Sequence, residues 1–114
     1  EGGMVMGMGY ALMEDTIIEG GKTLTPNFST YIIPTSIDAP DMDTVACEVL
    51  EPSGPYGAKG VGEAVMVPIA PAITIAIDRA VGARVAHAPA TSERVYHAMR
   101  SRGVCRGAGE GSTA

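Results

Sequence analysis

The chain has 114 residues, 46% of them hydrophobic and 18% charged, a composition that fits one globular unit at most and excludes a fibrous or disordered segment. Eight basic against 13 acidic residues give a net charge of -5 with no Lys or Arg stripe, so nucleic acid is not an expected partner. No apolar run approaches the ~20 residues of a membrane span and no signal segment opens the chain, so a soluble, cytoplasmic protein without a membrane partner is expected.

At this length folding buries only about 60–68% of the unfolded surface, and 4% aromatic content without Trp makes the core lean. A partner surface would help it. The opening "EGGMVMGMGYALMED" has the texture of the middle of an element, which is the expectation for a fragment or a processed subunit. Met4, Met8, Ala11 and Leu12 fall on one helical face and predict a helix over 2–13, in which Gly7 and Gly9 imply close approach of a neighbour. "TIIEGGKTL" predicts two short strands around a Gly20-Gly21 turn. "STYII", "TVACEVLE" and "ARVAHA" are further strand candidates, and "PTSIDAPDMD" is turn chemistry.

"VPIAPAITIAIDRAVGA" places Ile69, Ala72, Ile73, Ala76, Ile77 and Ala80 at helical spacing, with prolines in the first turn and Gly82 as a stop. So apolar a helix is expected to be buried. Thr91 is placed to cap a short helix, "SERVYHAMR". These elements predict an α+β class, a small mixed sheet with helices packed on one face as a two-layer sandwich. Residues 1–99 form the structured segment and 100–114 a flexible Gly-rich tail.

The densest functional signal is "PSGPYGAKGVGEA", residues 52–64. A phosphate-binding P-loop is excluded because Lys59 is followed by Gly60 and not by a hydroxyl residue. A dinucleotide fingerprint fails because Val65 stands where its third glycine belongs. What remains is a run of backbone N–H groups able to form a concave nest, or, as composition alone favours, an ordinary strand-to-helix connection. Glu63 ends the loop at the edge of "AVMVPIAPAITIAI". A carboxylate drawn into such surroundings loses water and becomes a better proton acceptor. Solvation of Glu63, or pairing with Lys59, is the alternative that residue type leaves open.

Other groupings are weaker. Asp38, Asp41 and Asp43 lack the spacing of a calcium loop; His87 and His97 lack metal-ligand partners and are expected on a strand and on an exposed helix face. The methionines at 4, 6, 8 and 13 are expected to pack. Cys47 and Cys105 are far apart with no CxxC spacing and are expected as free thiols.

"GPYGAKGVGEA", with "YIIPTSIDAPDM" before it and "VPIAPAITIAI" after it, resembles the C-terminal part of the molybdenum-binding subunit of the xanthine dehydrogenase and aldehyde oxidase family of molybdenum hydroxylases. "EGGMVMGMGYAL", "LTPNFSTY" and "TSERV" are similar to that family in the same order, so the resemblance runs from Glu1 to Met99. It implies that Glu63 is the catalytic base. It also implies that Lys59, Gly60, Val61 and Gly62 line a molybdenum cofactor, a molybdopterin whose form (cytosine dinucleotide among the options) stays open. The implied reaction is hydroxylation of an aldehyde or N-heterocycle with oxygen from water.

The implied partners are the remainder of the molybdopterin subunit, iron-sulfur and flavin subunits or domains carrying FAD, and a small-molecule substrate. None of those modules lies in this sequence, so the isolated chain is expected to be inactive. The alternative function is a non-catalytic assembly segment whose glycine loop only packs against a partner chain.

Overall fold

The computed structural model describes residues 1–104. Helix α1 spans Gly2–Leu12, the hairpin strands β1 and β2 span Ile18–Glu19 and Lys22–Thr23, and helices α2 and α3 span Ile69–Val81 and Ser92–Ser101. Two single turns of 3-10 helix, Pro55–Gly57 and Glu63–Val65, bracket the glycine loop. The α+β class stands, as helices plus a small antiparallel sheet.

Each formed element follows from local chemistry. Gly20 and Gly21 have φ of 55° and 77°, the left-handed pair that a two-residue hairpin turn needs. Gly82 closes α2 at φ 67°, and the Thr91 side chain accepts from the Arg94 backbone N–H at the start of α3. The sheet is one hairpin of two residues per strand, Ile18 facing Thr23 and Glu19 facing Lys22.

The expected mixed sheet is therefore reduced in this chain. "STYII", "TVACEVLE" and "ARVAHA" join no ladder among the described residues. In the last of these, Ala83 and Val85 are buried while Arg84 and Ala86 are exposed, the alternation of a half-buried strand without a partner. A strand needs a neighbour to satisfy its backbone, and propensity cannot supply one.

Helices α1 and α2 pack on each other. A Cβ built at Gly7 would lie 2.6 Å from Ile69 Cβ, and one at Gly3 would lie 3.2 Å from Val65 Cβ, so the bare glycine face of α1 is what admits α2 and the turn before it. Gly7→Val is expected to force the pair apart and cost about 1–3 kcal/mol. Gly2→Ala, where the added carbon meets nothing within 4 Å, is expected to leave stability unchanged or raise it. Urea midpoints of the two variants followed by far-ultraviolet circular dichroism check this.

A second tie runs from the end of α1 to the start of α3. The Ala90 N–H donates to Ala11 O at 2.6 Å; Arg94 donates to Pro89 O and to Asp15 Oδ2, both at 2.8 Å.

The expectation of a buried α2 is corrected: no residue of it is buried here. The buried apolar set is Ala11, Ala83, Val85 and Ala90, and no large side chain is fully enclosed. The radius of gyration is 19.3 Å, against roughly 13 Å for a compact domain of about 100 residues. The described residues do not supply the burial that α2 calls for.

The helical stretch Glu63–Val81 is 19 residues long with mean hydropathy 1.6 and meets the length and composition of a membrane span, contrary to the expectation that no such run exists. Its regular α-helix is only the 13 residues of α2, about 20 Å at 1.5 Å per residue, short of a ~30 Å hydrocarbon layer.

With Ile75 at 53% exposure and Val67 at 70%, the 114-residue chain by itself is expected to bind a hydrophobic dye and self-associate. A monomeric, cooperatively melting species without dye fluorescence would contradict that expectation.

Candidate active-site loop

The loop begins with a clipped turn. Gly57 O accepts from the Glu51 N–H at 3.1 Å, and Glu51 O accepts from the Gly54 N–H at the same distance. Glu51 Oε1 also accepts from the Ser53 hydroxyl at 2.7 Å and from its N–H at 3.1 Å. These bonds, the hydroxyl's first, hold the Glu51 carboxyl below its ordinary value. A lowered carboxyl favours the fold above the ordinary carboxylate range, and the clip loosens as pH falls through its own value.

Inside the turn Tyr56 sits at φ 55°, ψ 21° with its side chain fully exposed. A left-handed tyrosine costs about 1–2 kcal/mol, so the surrounding hydrogen bonds fix it. Sequence reading missed this feature, because Tyr carries no turn signal of its own.

Beyond the turn, Lys59, Gly60, Val61, Gly62 and Glu63 are consecutive and all exposed. A Cβ at Gly60 or Gly62 would meet nothing within 4 Å, and neither glycine has a positive φ. Among the described residues no neighbour therefore crowds out a side chain at either position. The backbone there is open to a bulky group approaching from outside, which is the fit expected of a loop lining a large cofactor. A cavity of about 640 Å³ lies beside it, lined by Lys59, Gly60 and Val61 together with 46–50 and Gly57. Cys47, on that wall, is exposed with a free thiol; Cys105 lies outside the described residues, as does 105–114 of the expected tail, while α3 runs on to Ser101.

Glu63 opens the turn Glu63–Val65, which packs on the first turn of α1 through Val65 and Gly3 and leads into α2. The Met66 N–H donates to Glu63 O at 2.9 Å, so the Glu63 backbone is anchored on the helix pair while its side chain is free. Among the described residues neither Glu63 nor Lys59 takes part in an ion pair. Of the readings left open for Glu63, this chain shows the solvated one: Glu63 is exposed, because the residues after it turn into α2 and do not fold back over the carboxylate.

The remaining candidates behave as simple surface groups. His97 is exposed, 3.7 Å from Glu93; His87 is exposed on a segment without strand pairing. Among the described residues no cluster of His, Cys, Asp or Glu could hold a metal. Asp38 accepts from the Thr35 N–H at 2.8 Å and hydroxyl at 2.7 Å, a local turn that lowers its carboxyl. The Tyr31 hydroxyl donates to Glu14 Oε2 at 2.5 Å, and this bond, more than burial or the adjacent charge, raises the phenol above its usual value.

Residues 1–40 match the family model of a molybdopterin cofactor-binding domain. The chain is 37% identical over 105 residues to the xanthine dehydrogenase molybdenum-binding subunit of Escherichia coli O157:H7, covering 90% of this chain and 14% of that protein. The chain belongs to the xanthine dehydrogenase and aldehyde oxidase family of molybdenum-binding subunits. The aldehyde oxidoreductase molybdenum-binding subunit PaoC of Escherichia coli K12 is 34% identical over 97 residues, 82% of this chain and 13% of that one. The fold of quinoline 2-oxidoreductase from Pseudomonas putida 86 superposes with a TM-score of 0.78 at 29% identity, over 87% of this chain and 13% of that chain. As a family member, the chain thus spans about one seventh of the relatives' length.

Proposed function

We propose that this segment supplies the proton-accepting carboxylate and part of the cofactor-lining backbone of a molybdenum hydroxylase. The carrying observation is the exposed run Lys59–Glu63, in which two glycines face open space and a carboxylate without an ion-pair partner among the described residues stands at the end. The cofactor supplies the redox chemistry of hydroxylation with water-derived oxygen when bound. Gly60 and Gly62 let the main chain approach it without side-chain obstruction, Lys59 and Val61 complete the lining, and a Glu63 carboxylate oxygen accepts the proton that the reaction releases.

Substrates of aldehyde or N-heterocycle type are supported by the xanthine, aldehyde and quinoline named for the relatives. The electrons then need onward carriers, and iron-sulfur and flavin partners carrying FAD fit that need. A cytosine dinucleotide form of the pterin and a cytoplasmic setting belong to the same proposal; the exposed Cys47 thiol suits a reducing compartment. The exposure of Val61, 86%, favours as second reading a loop that only packs against a partner chain.

The test is molybdenum analysis of the purified subunit carrying this segment, with turnover of wild type and Glu63→Gln compared. Bound molybdenum with loss of turnover in the variant supports the base; unchanged turnover leaves the packing role.

A further inference from the structure

A groove of about 330 Å³ runs between α1 and α2, lined by Met4, Met8 and Leu12 on one side, Ile69 and Ile73 on the other, and Met42 from the connecting segment. No polar or charged side chain enters the lining. The two helices meet closely along Gly7 and Ile69, and the large side chains flanking that line are only half-buried. Methionine is the side chain best able to adapt to an incoming apolar surface.

We propose that this groove is a docking site for an apolar segment from the remainder of a molybdenum-binding subunit, an inference that rests on the functional reading above. The relatives contain this segment as 13–14% of their length, and a solved relative keeps its backbone arrangement inside a far longer chain. Each of these relatives thus has most of its polypeptide outside this segment and available to cover the groove. An uncharged lining selects an uncharged occupant, since a charge set there would lose hydration without a counter-charge. The site is distinct from the Lys59–Glu63 loop, which lies at the other end of the turn Glu63–Val65.

The full 114-residue chain, tagged, is co-expressed with the Escherichia coli O157:H7 subunit from which the matching 105 residues have been deleted. Wild type is expected to recover that partner, and the double variant Met8→Lys, Ile73→Lys to recover less than about a tenth as much, a loss of at least about 1.4 kcal/mol. Glu63→Gln is expected to recover it fully. Full turnover by the recovered Glu63→Gln complex would remove the catalytic reading and leave the docking site intact. Equal recovery by the double variant would overturn the proposal, as would recovery only of further copies of this chain or capture only by lipid vesicles.

Because the deleted subunit can fail to fold, a second measurement uses a chimaera in which this chain replaces the matching residues covalently. Peroxide oxidation of Met4, Met8 and Met42, followed by mass spectrometry, is expected to be at least about tenfold slower in the chimaera than in the free chain. Equal rates would overturn the proposal.

Discussion

Replacing Glu63 by Gln is expected to lower turnover of the molybdenum-loaded subunit by about 10²- to 10⁴-fold, the range for loss of a general base, with molybdenum content unchanged. Gln keeps the length and shape of the side chain but cannot accept the proton. The fold has little at stake, because the Glu63 side chain is exposed and its anchoring bond to the Met66 N–H comes from the backbone carbonyl. A Glu63 that merely paired at the surface would be worth ~0–1 kcal/mol of stability, and its loss would leave the rate nearly intact. The measurement is kcat and kcat/KM across pH on molybdenum-replete protein; retention of more than about a tenth of the activity would rule out the base assignment.

Gly62→Val is expected to remove most cofactor occupancy or activity while moving the melting temperature little. A Cβ at Gly62 meets nothing within 4 Å among the described residues, so packing does not resist valine. The branched side chain would instead occupy the open face along which a cofactor has to lie. Molybdenum per subunit, specific activity and thermal melting of wild type and variant separate the two effects. Equal activity and occupancy would show that nothing approaches the loop; a fall in melting temperature matching the loss of activity would make the effect structural.

Local signals were legible wherever one or two residues dictate the outcome. Gly20-Gly21 specified its hairpin turn, Gly82 the end of α2, and Thr91 the start of α3, because each supplies a conformation or a hydrogen bond that acts within a few residues. The close approach at Gly7 was legible for a similar reason, since a helix face without side chains has few other uses. Strands were not legible in the same way. "TVACEVLE" and "ARVAHA" have strand composition, yet a ladder needs a neighbouring backbone, and among the described residues none is offered.

The sequence by itself determined the helices, the hairpin turn and the order of residues in the loop from Pro52 to Ala64, all of which depend on contacts close along the chain. Only the tertiary structure decided that α2 lies uncovered, that Gly60 and Gly62 face open space, and that Glu63 is anchored by its backbone with its carboxylate free. Those are questions of what stands opposite a residue, and apolar periodicity in α2 records a demand for burial without saying which surface meets it.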